Sequence, residues 1–205
     1  MNDRFQRVVW AVFAVVLVTI GSAAFFIESH RVTLPVVGPL RPFSLTNQAG
    51  ASVSLASIQG AAGVVNVIFT ACPTQCPKLT AQMSRIQSRM PPGTRLLSLT
   101  ADPRNDTPEV LARYGVPYHA DTNRWWFLTG TKAEIYRFAV EDLKFNLLEA
   151  ADPATARLED RFIHSADFAL FDRAARLRAV VHGEDPDAVD QVVRLLKKLQ
   201  REAKP

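Results

Sequence analysis

Hydrophobic and polar positions divide the chain into three regimes. From Val8 to Ile27 the run VVWAVFAVVLVTIGSAAFFI carries no charge and no polar face. At about 1.5 Å rise per residue such a run spans a hydrocarbon core of about 30 Å, so it predicts a single transmembrane helix. Next comes Leu34-Pro35-Val36-Val37-Gly38-Pro39, rich in Pro and Gly, which reads as a linker. Beyond it, short runs with strand periodicity alternate with stretches of helical spacing.

The strand-like runs are Phe43 to Thr46, with its turn at Asn47 to Gly50, then Val64 to Phe69, Arg95 to Thr100 and Trp126 to Leu128. Val64 to Phe69 is β-branched and nearly all apolar, as suits a strand buried on both faces. Helical spacing runs from Pro77 to Met90, where Pro91-Pro92-Gly93 stops it, and from Thr107, a good N-cap before Pro108, to about Tyr114. A further helix follows Thr129-Gly130-Thr131 through Phe138, and the weakly periodic stretch from Asn146 to Arg161 reads as a long loop. Ala166 to Phe171 and Leu177 to Val181 form a hairpin pattern, and from Asp187 an apolar stripe (Val189, Val192, Val193, Leu196, Leu199) marks a closing helix. This order predicts an α/β thioredoxin-like sandwich with a central mixed sheet. The expected division is an anchor over 1–30, a linker over 31–42 and one globular domain over 43–205.

Composition narrows the function classes. Of 205 residues, 48% are hydrophobic and 21% charged, enough apolar material for one real core and too much for a disordered chain. The net charge of +4 is scattered and interleaved with acids, without the focused basic stripe of a nucleic-acid binder. Arg4 and Arg7 before the apolar run place the N-terminus inside and everything after Ile27 outside, in a periplasm-like space. Ser22 and Ala24 offer a small-residue cleavage point, but Phe25 to Ile27 prolong the run, which favours a retained anchor in the inner membrane.

The candidate chemistry lies in two cysteines, Cys72 and Cys76, spaced C-x3-C where a buried strand meets a helix. The carboxyl end of a parallel strand is where ligands gather, and a helix N-terminus favours thiolate. Residues i and i+4 share one face of a helical turn, and the extra residue relative to C-x2-C opens room for an ion. A plain stabilising disulfide is the competing reading, although so short a loop stabilises weakly. A third metal ligand would come from a histidine, and spacing does not separate His119, His164 and His182. Two soft thiolates and an imidazole suit Cu(I), or zinc with a fourth ligand.

These residues resemble the Sco/SenC family of copper-binding assembly factors for cytochrome oxidase. Phe69-Thr70-Ala71-Cys72-Pro73-Thr74-Gln75-Cys76-Pro77 is similar to its F-T-x-C-P-x-x-C-P signature. The resemblance continues in Asp102-Pro103-Arg104-Asn105-Asp106-Thr107-Pro108, in Trp126 to Gly130, and in His164-Ser165 followed by Phe168 to Asp172. It implies that Cys72, Cys76 and His164 hold one copper ion. It further implies delivery to, or maturation of, the binuclear copper site of oxidase subunit II. Thr74 and Gln75 are neutral where the family often has an acid, and Ile163 replaces a residue that is often polar.

Two other functions use the same thiols. In a membrane-anchored thiol–disulfide oxidoreductase Cys72 attacks and Cys76 resolves, with His164 dispensable. A thiol peroxidase is the weaker alternative, since no peroxide-binding Thr/Arg set is legible. For Asp102 and Asp106 the resemblance suggests a partner-facing loop, while residue type alone suggests turn and cap chemistry. Trp125 and Trp126 read as core and rim packing.

Overall fold

The computed structural model describes residues 3–29, 33–150 and 162–202. It separates into two compact units, Met1–Thr33 and Leu34–Pro205. The first unit contains helix α1 (Asp3–Ser29), which exposes Val9, Trp10, Phe13, Leu17 and Ile20. Among the described residues no helix is long and apolar enough to cross a membrane.

The second unit is built on an eight-stranded mixed sheet. Its strands are β1 (Gly38–Pro39), β2 (Ser44–Asn47), β3 (Ser52–Ser54), β4 (Ala62–Ile68), β5 (Thr94–Thr100), β6 (Trp125–Thr129), β9 (Asp167–Phe171) and β10 (Arg176–His182). A separate two-stranded ribbon pairs β7 (Leu147–Glu149) with β8 (Phe162–His164). The order in the large sheet is β1-β10-β9-β4-β5-β6-β2-β3. The centre, β4-β5-β6, is parallel, and β9 closes on β4 in the antiparallel sense. This is the mixed α/β sheet expected from the alternation of strand and helix periods.

Every residue of β4 is buried, which is why its sequence lacks the alternation of a half-exposed strand. Gly63 is required there: a Cβ would lie 2.3 Å from the Phe171 ring and 2.5 Å from the Arg95 carbonyl oxygen. Helix α2 (Leu55–Ile58) is a single turn after β3. Helix α3 (Gln75–Arg89) follows β4 and ends as Met90 turns extended before Pro91. Helix α4 (Pro108–Gly115) is capped by the Thr107 side chain, which accepts from the Val110 N–H. The closing helix α6 (Ala188–Arg201) packs on α3, β4, β9 and β10 and buries Val192, Val193, Leu196 and Leu199.

Three stretches differ from the expectation. The Pro- and Gly-rich stretch expected as a linker lies against the sheet. It forms β1 beside β10, Leu40 is buried, and the carbonyls of Leu34 and Pro35 accept from the Arg178 guanidinium. The helix after Thr131 is short, α5 (Lys132–Tyr136), and widens into a π-helical turn over Arg137–Asp142. The turn is held by Asp142, which is buried and accepts from both Arg41 and Arg137. The expected loop from Asn146 contains β7, and β8 resumes the ribbon at Phe162; residues 151–161 lie outside the described residues.

Candidate functional site

The strand β4 delivers the chain at Phe69 into a tight loop, and α3 begins at Gln75, two residues earlier than helical spacing predicts. Cys76 and Pro77 therefore occupy the first turn, where a missing N–H on proline costs nothing. The first N–H groups of a helix need outside acceptors. Thr74, at the cap position, supplies no side-chain bond. Cys72 takes that role instead: its Sγ accepts from the Cys76 N–H at 3.5 Å. The helix thus points positive charge density at the first sulfur, the arrangement that favours a thiolate.

Both cysteines are present as thiols, with Cys72 7% exposed and Cys76 fully buried. The Cys76 Sγ accepts from the Phe69 N–H at 3.4 Å, while the Cys72 N–H donates to the Phe69 carbonyl at 3.1 Å. The Cys76 thiol is pushed well above the usual range, first by its hydrogen bond with the Cys72 thiol and then by burial; the Phe69 N–H acts in the opposite direction. A metal entering here has to displace that proton. Behind the pair, the Thr80 hydroxyl donates to the Cys76 carbonyl at 2.7 Å and lies 3.0 Å from the Tyr114 hydroxyl. Burial raises the Tyr114 pKa beyond its ordinary value, so Tyr114 stays a neutral hydroxyl.

The Asp102–Asp106 loop buries its two carboxylates and exposes Arg104 and Asn105 between them. Asp102 is 4% and Asp106 1% exposed. Asp102 accepts from the Asn105 side chain at 2.7 Å, and its carbonyl accepts from the Asp106 N–H at 2.9 Å. The Asp106 carboxylate reaches across to the cysteine loop: it accepts from the Thr70 N–H at 3.1 Å and the Thr70 hydroxyl at 2.5 Å. The Thr100 hydroxyl also donates to it. Burial raises the Asp106 pKa, and the Thr100 and Thr70 hydrogen bonds oppose that rise. Turn chemistry therefore accounts for Asp102, while Asp106 bridges two loops, a role that residue type alone does not show.

The histidines separate by position. His164 ends β8, with its backbone opposite Leu147 and the following Ser165 N–H bonded to the Asn146 carbonyl; its side chain lies outside the described residues. Two residues earlier, the buried Phe162 ring stands 5.2 Å from Phe69, directly before the cysteine loop. That contact sets the start of β8 against Phe69, the residue before the cysteine loop. His182 is engaged elsewhere, 2.7 Å from Asp167 and 3.5 Å from Glu184. His119 closes the turn over Val116–Tyr118 in a left-handed conformation, and its carbonyl accepts from Gln87. His30 lies outside the described residues. Among the described residues no three His, Cys, Asp or Glu side chains form a metal-holding group. Trp125 is fully buried and Trp126 lies at the rim under Arg95, as their pattern suggested.

Comparison with known proteins agrees with this layout. The chain is 30% identical over 163 residues to the SCO1 protein homolog of Bacillus subtilis, covering 78% of this chain and 81% of that protein. It is 28% identical over 177 residues to a protein of Stutzerimonas stutzeri described as copper-binding, covering 84% and 82%. The solved structure of BsSco, a member of the Sco family of cytochrome c oxidase assembly proteins in which a disulfide switch was identified, superposes with a TM-score of 0.72. It is 28% identical and covers 84% of this chain and all of BsSco. The sequence profile described as SCO1/SenC matches residues 38–200, nearly the whole of the second unit, and the chain belongs to that family.

Proposed function

We propose that this chain is a membrane-anchored copper metallochaperone. It carries one copper ion on Cys72, Cys76 and His164 and delivers it to the binuclear copper site of cytochrome c oxidase subunit II. The observation that carries this reading is the hydrogen-bonded thiol pair at the start of α3, Cys72 in the loop and Cys76 in the first turn, with β8, the strand of His164, packed on Phe69 through Phe162. Two thiolates and one imidazole form a soft, low-coordinate donor set, which suits Cu(I) over hard cations. The copper-binding description of the Stutzerimonas stutzeri relative and the membership of BsSco among oxidase assembly proteins support the same assignment.

Copper is the cargo, so the site has to release it as well as hold it. Cys72 keeps a small exposed surface and Cys76 none, so an acceptor thiol exchanges first at Cys72 while Cys76 and His164 retain the ion. The anchor (residues 1–30, N-terminus inside) rests on the uncharged sequence run from Val8 to Ile27 alone, since no helix among the described residues is long and apolar enough to cross a membrane. The copper-binding unit is then outside, in the periplasm, where the copper site of subunit II is assembled. The test is transfer: copper-loaded chain is mixed with the apo copper domain of subunit II and the metal content of each is read after separation. Copper moving to the acceptor supports the assignment, and copper staying with the chain rejects delivery.

One observation favours a second reading, reduction of the cysteines of a copper-site protein. Cys72 is both the more exposed thiol and the acceptor of a helix N–H, as an attacking thiolate requires, with Cys76 buried behind it to resolve. A Cys76→Ser chain would then accumulate a mixed disulfide with the oxidised subunit II domain. Absence of that adduct would exclude this route.

A further inference from the structure

A carboxylate 1% exposed is costly to bury and is retained only where donors satisfy it. Asp106 has three, and all lie away from the helix it precedes. Thr107, not Asp106, caps α4. The Asp106 oxygens are committed to Thr70, 36 positions away in sequence, and to Thr100 at the end of β5. The Thr100 hydroxyl accepts from the Asp102 N–H at 2.9 Å, so its own proton is directed to Asp106.

The far end of this link is the informative one. Phe69 and Thr70 are the peptide units from which the cysteines take their bonds: Phe69 N–H to Cys76 Sγ, and Phe69 carbonyl to Cys72 N–H. Below them the Ile68 carbonyl is fixed by the Ala101 N–H at 2.7 Å. Beyond them Thr70 is gripped by Asp106 through both its N–H and its hydroxyl. We propose that Asp106 is a positioning residue for the dithiol pair, holding the Phe69–Thr70 turn so that Cys72 and Cys76 stay side by side as thiols. Its meaning for copper rests on the metallochaperone reading above.

The frame opposes closure of the pair into a disulfide, which requires the sulfurs to approach to about 2.05 Å and so breaks their present bonds. In exchange with glutathione disulfide, Cys72 and Cys76 give up two electrons and two protons and form one S–S bond, while two glutathione thiols are released. Loosening the frame shifts this equilibrium toward the protein disulfide. It also weakens copper binding, as loss of an outer-shell partner does.

The experiment equilibrates the full chain in detergent with glutathione buffers and, separately, with Cu(I) against a competing chelator. Asp106→Asn keeps the shape and loses one acceptor oxygen. It is expected to favour the disulfide about tenfold, about 30 mV for a two-electron couple, and to weaken Cu(I) binding about tenfold. Thr70→Val removes the hydroxyl donor and spares the N–H, so it shifts both readouts the same way by about threefold, and it decides the matter if Asp106→Asn fails to fold. Asp142→Asn, an equally buried carboxylate paired with Arg41 and Arg137, lowers the melting temperature and leaves both readouts unchanged. Wild-type redox behaviour in a folded Asp106→Asn chain, or an equal shift in Asp142→Asn, overturns the proposal. If wild type takes up no copper and the redox shift persists, the copper reading fails and the positioning role stands.

Discussion

The two halves of the candidate site are built on unlike foundations. Cys72 and Cys76 sit where β4 enters α3, and β4 is flanked on both sides by other strands and buried along its whole length. Their loop is tied by Phe69, Thr70 and Asp106. His164 sits on β8, half of a ribbon of two three-residue strands outside the main sheet. A lone two-stranded ribbon is marginal in water, and this one depends on contacts with the domain: buried Leu147 and Phe162, the Phe69 stack, and Lys132 paired with Glu149. One half of the candidate site rests on the core, and the other on a ribbon held to the domain by few contacts. For the proposed carrier, that asymmetry lets the strand of His164 shift during transfer without unfolding the domain.

The contrast can be broken most strongly from the rigid side. Replacing Cys76 by Ser is expected to lower Cu(I) affinity about 10³-fold, about 4 kcal/mol, with the fold intact; chelator competition and thermal melting read the two effects separately. On the ribbon side, Phe162→Ala removes the ring that stacks on Phe69. It should weaken copper binding about tenfold, about 1.4 kcal/mol, while hydrogen exchange accelerates in β7 and β8 and stays slow in β4 and β5. Equal acceleration in β4 would erase the distinction between the two halves.

The smallest effect belongs to His182, which is engaged with Asp167 and Glu184. Its hydrogen bond with Asp167 raises its pKa above the ordinary imidazole value. A pKa raised in the folded state gives stability that is complete below about pH 6.5, the unfolded value, and is lost as pH rises through the folded one. The melting temperature is therefore expected to fall slightly over that window. His182→Asn should flatten this dependence and leave copper binding untouched.

Residues that act through local sequence were legible in advance. The β-branched run of β4, the Thr107-Pro108 helix start, the stop at Pro91 and the closing amphipathic helix all follow from periodicity and cap chemistry. Cys72 and Cys76 were legible from their spacing at a strand-to-helix junction, although only Cys76 lies in the helix and Cys72 caps it from the loop. The long-range features were not. β7 and β8 are three residues each, too short for a period to declare itself, and each exists because the other pairs with it. The packing of residues 34–40 depends on Arg178, more than a hundred positions away. The bond from Thr70 to Asp106 is equally nonlocal, and no spacing rule connects them. His164 was singled out by resemblance alone, since three histidines were equivalent by spacing.

The most direct test of the account is an anaerobic Cu(I) titration of the reduced chain against a competing chelator, run beside His164→Ala. The account expects one tightly held equivalent in the wild type and a loss of about a hundredfold in affinity, about 2.7 kcal/mol, in a variant whose melting temperature is preserved. Equal affinity in the two chains would contradict it and leave the dithiol as the working chemistry.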